Sequence, residues 1–247
     1  VRSGGLRNLA ACLLAGGALL SGPRSVRAEV LEKSATAGGI TVHYKVVLPP
    51  GYDSAKGYPL VLGFGGGPQT MRTVDGLIDN NLRAEAERRG YVVVVPAAPE
   101  EGLYFEGGAR IFPEFLEQLL ATYKVPGGRL HVAGVSNGGL SAFHVASLYP
   151  MYFLSVTGFP GMLYEPTSAH IQALKGLCIR MYVGDRDQLG WTAPVQRQAE
   201  ALKAAGLAVG FSLEKGQEHR IGTLAGAGAA RLFDFFEQSA RGCPATK

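Results

Sequence analysis

No apolar run in this chain is long enough to cross a membrane. The segment from Leu9 to Leu20 has about 12 such residues, against the ~20 that a spanning helix requires. No stretch is polar enough to form a disordered linker, and no internal repeat is present. Histidines and carboxylates nowhere fall at metal-ligand spacing, so no metal or other cofactor is implied. A usable excess of charge is missing as well. The chain has 24 Lys+Arg and 20 Asp+Glu, but Arg2, Arg7, Arg24 and Arg27 all lie in the first 28 residues, which contain no acid. From Glu29 onward basic and acidic residues are equal in number, and nothing points to nucleic acid or an anionic membrane surface as partner.

That first segment has its own pattern. Two arginines precede the apolar run, and Ser25-Val26-Arg27-Ala28 offers a small residue at a plausible cut. This is the composition of a secretory signal peptide over residues 1–28, leaving one domain over residues 29–247 in a secreted or periplasmic protein. Leu9-Ala10-Ala11-Cys12 resembles a lipoprotein cleavage box, but cutting there would leave almost no signal core.

The remainder alternates strand and helix signals. Val30–Thr36 and Ile40–Leu48 are β-branched segments joined by a Gly38-Gly39 hairpin signal. Strands follow at Pro59–Phe64, Tyr91–Val95, Leu130–Val135, Phe153–Thr157, Leu177–Val183 and Ala208–Leu213. Tyr91–Val95 has no polar alternation, which is how a strand covered on both faces reads. Helices are expected at Thr73–Arg89, Arg110–Tyr123, Gly138–Tyr149, Ser168–Lys175, Ala193–Ala205 and Leu224–Ser239. The result is an α/β fold with an eight-stranded, mostly parallel sheet, helices on both faces and no large lid domain. Cys178 then opens a strand and Cys243 follows the last helix, so both belong at the bottom edge of the sheet. A bridge between them is within reach in an oxidising compartment, with free buried cysteines as the alternative.

Chemistry enters at Gly134-Val135-Ser136-Asn137-Gly138. An apolar strand runs straight into Ser136 and a helix starts directly after it, the sharp turn that lifts a nucleophilic serine to the top of a sheet. Serine needs a base to take its proton. Of the five histidines, His219 alone lies in a loop after the last strand, at that same edge. A carboxylate must orient the histidine, and Asp185 and Asp187 both follow the strand ending at Val183. Asp187, slightly beyond the strand end, is better able to bend toward His219, with Asp185 shaping the loop. Backbone N–H donors for an oxyanion are expected from Asn137 and from the Gly65-Gly66-Gly67 turn. A phosphate-binding role for that turn is disfavoured, because no G-K-[ST] follows.

With these motifs in place the chain resembles the feruloyl esterase, polyhydroxybutyrate depolymerase and prolyl-oligopeptidase-like branch of the α/β-hydrolases. The similarity is carried by Leu48-Pro49-Pro50-Gly51-Tyr52, Tyr58-Pro59-Leu60-Val61-Leu62, Val135-Ser136-Asn137-Gly138-Gly139 and Val183-Gly184-Asp185-Arg186-Asp187. Where many relatives have His-Gly at the oxyanion turn, this chain reads Gly63-Phe64-Gly65-Gly66-Gly67-Pro68 without a histidine, which leaves Gly66 and Gly67 both open as donors. The glycine that often precedes the histidine in relatives is Glu218 here.

These residues imply a serine hydrolase acting on small-molecule or polymeric esters. Trp191, Tyr104 and Phe105, in loops expected at the top edge, are candidates to hold an aromatic or apolar acyl group, or they simply pack those loops. A prolyl-oligopeptidase-like peptidase, an acyltransferase and a non-catalytic binding protein on the same fold are the alternatives.

Overall fold

The structure, a computed structural model, describes Val1, residues 28–100 and residues 102–243. The expected signal segment falls almost wholly outside the described residues.

Eight strands form one sheet in the order β1-β2-β4-β3-β5-β6-β7-β8. They are β1 (Glu29–Ala37), β2 (Ile40–Leu48), β3 (Leu60–Phe64), β4 (Val92–Pro96), β5 (Leu130–Gly134), β6 (Phe153–Gly158), β7 (Cys178–Gly184) and β8 (Val209–Glu214). β1 and β2 form an antiparallel hairpin at one side, and β2 pairs antiparallel with β4. From β4 to β8 every pairing is parallel. β3, β4 and β5 are buried along their whole length, as expected for strands covered on both faces.

Two apolar layers enclose the sheet. One packs α3 (Phe112–Thr122), α4 (Asn137–Leu148) and α6 (Thr192–Ala204) against it through residues such as Phe115, Leu116, Phe143 and Leu202. The other packs α1 (Met71–Leu77), α2 (Arg83–Arg89) and α7 (Ala230–Ala240) through Val74, Ala86, Phe233 and Phe236. A short helix, α5 (Ser168–Ala173), lies between β6 and β7.

The elements fall close to their expected places, with three differences. The helix expected over Thr73–Arg89 contains a π-helical turn at Ile78–Leu82. Leu77, Ile78 and Leu82 are all buried along this stretch. The helix expected from Arg110 begins at Phe112, after a 3₁₀ turn at Gly108–Ile111. The last helix begins at Ala230 rather than Leu224. Gly222, Gly226 and Gly228 precede it in 3₁₀ turns, and glycine is a poor residue for a regular helix.

Cys178 and Cys243 are disulfide-bonded, joining the first residue of β7 to the segment after α7. In a parallel sheet this is the edge opposite the one that receives the C-terminal strand ends.

Candidate active site

Val135 and Ser136 make the whole connection between β5 and α4. Ser136 sits at φ 59°, ψ −124°, a backbone region that side-chain-bearing residues rarely adopt. Two glycines permit the turn. A Cβ on Gly134 would lie 2.0 Å from the Gly138 carbonyl oxygen, and one on Gly138 would lie 2.0 Å from that of Phe64. Both distances are far inside van der Waals contact, so α4 can start this close to β3 and β5 only with glycine at each position. The Ser136 N–H donates to the Pro160 carbonyl at 2.8 Å, tying the turn to the loop after β6.

His219 arrives on the loop between β8 and α7, and Asp187 on the loop between β7 and α6. His219 Nε2 lies 2.8 Å from Ser136 Oγ, and His219 Nδ1 lies 2.8 Å from Asp187 Oδ2. The Asp187 side chain has no exposed surface and that of His219 is 11% exposed. Donation of the Nδ1 proton to Asp187 leaves Nε2 as acceptor for the serine hydroxyl. Asp187 is fixed in turn by the Leu189 N–H, which donates to its Oδ1 at 2.9 Å. The Gln188 side-chain oxygen accepts the His219 N–H at 3.3 Å, and the Trp191 ring packs edge-on against the imidazole, centroids 5.2 Å apart.

Asp185 has a different place. Its carboxylate accepts the Gly216 N–H at 2.7 Å, joining the β7 loop to the start of the His219 loop. Glu214, at the end of β8, braces that loop further. It accepts from Thr223 Oγ1 at 2.8 Å and from both arms of the Arg231 guanidinium at 2.7 and 2.8 Å. The guanidinium holds the Glu214 carboxyl down at about 2. None of the other histidines makes a hydrogen bond to Ser136. His131 is buried and bonded to Ser155, His144 and His170 face each other at 5.9 Å, and His43 is exposed on β2.

The glycine turn after β3 lies against the serine. A Cβ on Gly66 would be 3.4 Å from Ser136 Cβ and 3.1 Å from the Val135 carbonyl oxygen. The Asn137 side chain donates to the Gly67 carbonyl at 3.0 Å, across the same gap. Among the described residues, the backbone N–H groups of Gly66, Gly67 and Asn137 have no hydrogen-bond partner. An unpaired N–H beside a nucleophile is what a developing oxyanion requires.

Tyr104 is a correction to the sequence reading: it is fully buried and lines no pocket. Its ring packs against Phe64 and Phe112, and its hydroxyl donates to the Ala97 carbonyl. That satisfied hydroxyl makes it a core tyrosine, and burial pushes its pKa up. Trp191 is half-buried at the start of α6, beside the imidazole. Phe105 is nearly buried and packs edge-on against Tyr164, which is 43% exposed in the loop after β6. Leu189, two residues beyond Asp187, is 61% exposed. Sequence reasoning missed Tyr164, Leu189 and Gln188. Their one signal was position, in loops that leave the C-terminal ends of β6 and β7.

Among the described residues no group of three or more His, Cys, Asp or Glu is placed to hold a metal ion, and no helix is long and apolar enough to cross a membrane.

No family model matches the chain. An alignment 129 positions long, covering 47% of this chain and 19% of the other protein, is 30% identical to dipeptidyl-peptidase 5 of Porphyromonas gingivalis. Among solved structures, a feruloyl esterase module from Clostridium thermocellum complexed with sinapinate is similar at a TM-score of 0.64. It is 16% identical, over 81% of this chain and 85% of its own. The AtxE2 isopeptidase is similar at a TM-score of 0.66 and 15% identity, over 90% of this chain and 42% of its own. A thermostable esterase gives a TM-score of 0.65 at 14% identity, over 86% and 62%. Strand order, crossovers and these likenesses agree: the chain has the α/β-hydrolase fold.

Proposed function

We propose that the chain is a serine hydrolase that cleaves carboxylic esters through an acyl-enzyme at Ser136. The observation that carries this reading is the hydrogen-bonded line Ser136–His219–Asp187, at 2.8 Å per link. In the proposed reaction Ser136 Oγ attacks the ester carbonyl while His219 Nε2 takes its proton, and Asp187 stabilises the imidazolium that forms. The oxyanion settles on the N–H of Asn137 and that of Gly66 or Gly67. His219 then protonates the leaving alcohol. Water, deprotonated by the same nitrogen, attacks the acyl-enzyme, and the acid leaves as the bond to Ser136 Oγ breaks and His219 returns the proton to that oxygen.

An ester is favoured over an amide because its leaving group needs less protonation, and the crossovers around the site are short. Trp191, Tyr164 and Leu189 present apolar surface on the loops at this edge, which supports aromatic (feruloyl-like) or polyester acyl groups as substrates. A peptidase is the second reading, favoured by the identity to dipeptidyl-peptidase 5 and the fold shared with an isopeptidase. Export to the periplasm or medium belongs to the same proposal, supported by the basic-then-apolar segment up to Ala28 and the Cys178–Cys243 bridge.

The test is hydrolysis of acetyl, butyryl and feruloyl p-nitrophenyl esters beside dipeptidyl p-nitroanilides, by the chain and by Ser136→Ala. Ester turnover that Ser136→Ala reduces by about 10⁴-fold or more is the expected result. Anilide turnover in excess of ester turnover would move the reading to a peptidase. No turnover, with Ser136 unlabelled by a fluorophosphonate, would leave a binding protein.

A further inference from the structure

Gln69 has no exposed surface, yet it lies in the short segment between β3 and α1 and its backbone is left-handed, at φ 51°. A buried polar side chain on a residue in that backbone region persists only where several contacts over-determine it. Four are present. The Gln69 N–H donates to the Gly66 carbonyl at 3.3 Å, closing the glycine turn on itself, and its carbonyl accepts the Ala98 N–H at 2.8 Å. Its side-chain nitrogen donates to Ser141 Oγ at 2.9 Å, and its side-chain oxygen accepts the Tyr104 N–H at 3.3 Å. Ser141 is itself fully buried and lies on α4, the helix that begins directly after Ser136. One side chain therefore joins three pieces: the glycine turn, the nucleophile helix and the loop carrying Tyr104.

The turn is confined on its other sides as well. A Cβ on Gly65 would lie 2.8 Å from the Thr73 carbonyl oxygen of α1. Gly66 sits against Val135 and Ser136, and the Gly67 carbonyl is held by Asn137. The Asn137 bond ties the outer end of this turn to the first residue of α4, and the bond from Gln69 to Ser141 adds a second, fully buried tie one turn further along that helix.

We propose that Gln69 is a positioning residue: it clamps the Gly65–Gly67 turn to α4, so that the turn's unpaired N–H groups are aligned on Ser136 before any substrate arrives. The catalytic consequence rests on the serine hydrolase reading, while the clamp itself does not. An oxyanion donor acts only where its geometry is fixed in advance, so loosening the clamp lowers transition-state stabilisation and leaves ground-state binding alone.

The experiment compares the parent chain with Gln69→Leu and with the milder Ser141→Ala, which removes one hydrogen bond. Three measurements are made: amide hydrogen exchange in peptides covering residues 63–70, steady-state kinetics (kcat and KM) on p-nitrophenyl acetate, and fluorophosphonate labelling of the parent. In Gln69→Leu the turn amides are expected to exchange about tenfold faster or more, with peptides of α7 unchanged. Its kcat should fall about 10–100-fold, with KM within about threefold. Ser141→Ala should move the same quantities less, and the double variant should match Gln69→Leu alone. Parental turn exchange and kcat in both variants would overturn the proposal, whatever happens to thermal stability. A raised KM at unchanged kcat would overturn it too, since only uniform binding would have been lost. If the parent neither turns over ester nor labels at Ser136, the hydrolase reading fails instead, and the exchange data alone decide the clamp.

Discussion

Asp185 and Asp187 stand two residues apart on one loop, and their partners separate their roles. Asp187 meets the imidazole, whereas Asp185 meets a backbone N–H at the start of the His219 loop. Asp187→Asn should therefore lower kcat by about 10³–10⁴-fold, because an amide cannot stabilise the imidazolium and can hold the wrong tautomer. Asp185→Asn keeps an acceptor oxygen for Gly216 and should stay within about tenfold of the parent. Steady-state kinetics of the pair check both. The sequence allowed a preference between the two aspartates, argued from reach beyond the strand end. Ser136 and His219 were nameable because strand, turn and helix follow in unbroken order around a short motif. Tyr104 was misread, since a tyrosine among glycines in a loop looks exposed until Phe64 and Phe112 are known to close over it. Gln69 gave no signal at all. Its role depends on Ser141, which lies far along the chain and becomes its neighbour only through the β3–β5 pairing.

At the scale of elements, α7 is the piece whose attachment matters most for the site, because the His219 loop runs into it. It is held partly by charge. Glu214 grips Arg231 and Thr223 together, and Glu214→Gln should lose about 2 kcal/mol of stability at neutral pH, read by urea unfolding. The Glu214 carboxyl is lowered from 4.5 to about 2 in the fold. Its contribution is therefore complete above pH 4.5 and fades as pH falls toward 2, so parent and variant should converge in that window. Packing supplies the other attachment: His131 of β5 stacks on Phe236 with ring centroids 5.0 Å apart. Burial drives His131 from 6.5 down to about 3. The folded chain keeps this ring neutral while the unfolded chain takes up a proton below 6.5. Stability is then intact above pH 6.5 and falls between 6.5 and 3, by up to about 1.4 kcal/mol per pH unit. His131→Gln should flatten that slope in the same unfolding series. Periodicity revealed that these helices exist, but not their starts. Side-chain caps are missing at most N-termini, so the only local marks of these starts were Pro113 in the first turn of α3 and the glycines before Ala230.

For the molecule as a whole, the alternation of strands and helices was enough to anticipate a mostly parallel sheet, since right-handed crossovers leave few other arrangements. The strand order, with β4 between β2 and β3, was beyond it. β4 is apolar throughout, and such a strand fits any interior position equally well. The Cys178–Cys243 bridge closes a loop with a sequence separation of 65. On the chain-entropy model this is worth at most about 4 kcal/mol. Replacing both cysteines by serine should lower the unfolding free energy, read by urea unfolding, by up to that amount and leave kcat unchanged, because the bridge lies at the edge remote from Ser136.

The same bridge decides how the molecule can be handled. It pins the chain just past α7 to the far edge of the sheet, so a bead, a glass surface or a fused protein attached after Cys243 leaves the serine's side of the sheet turned outward. An immobilised preparation coupled there should keep the turnover of the free protein on a large polymer as well as on a small ester.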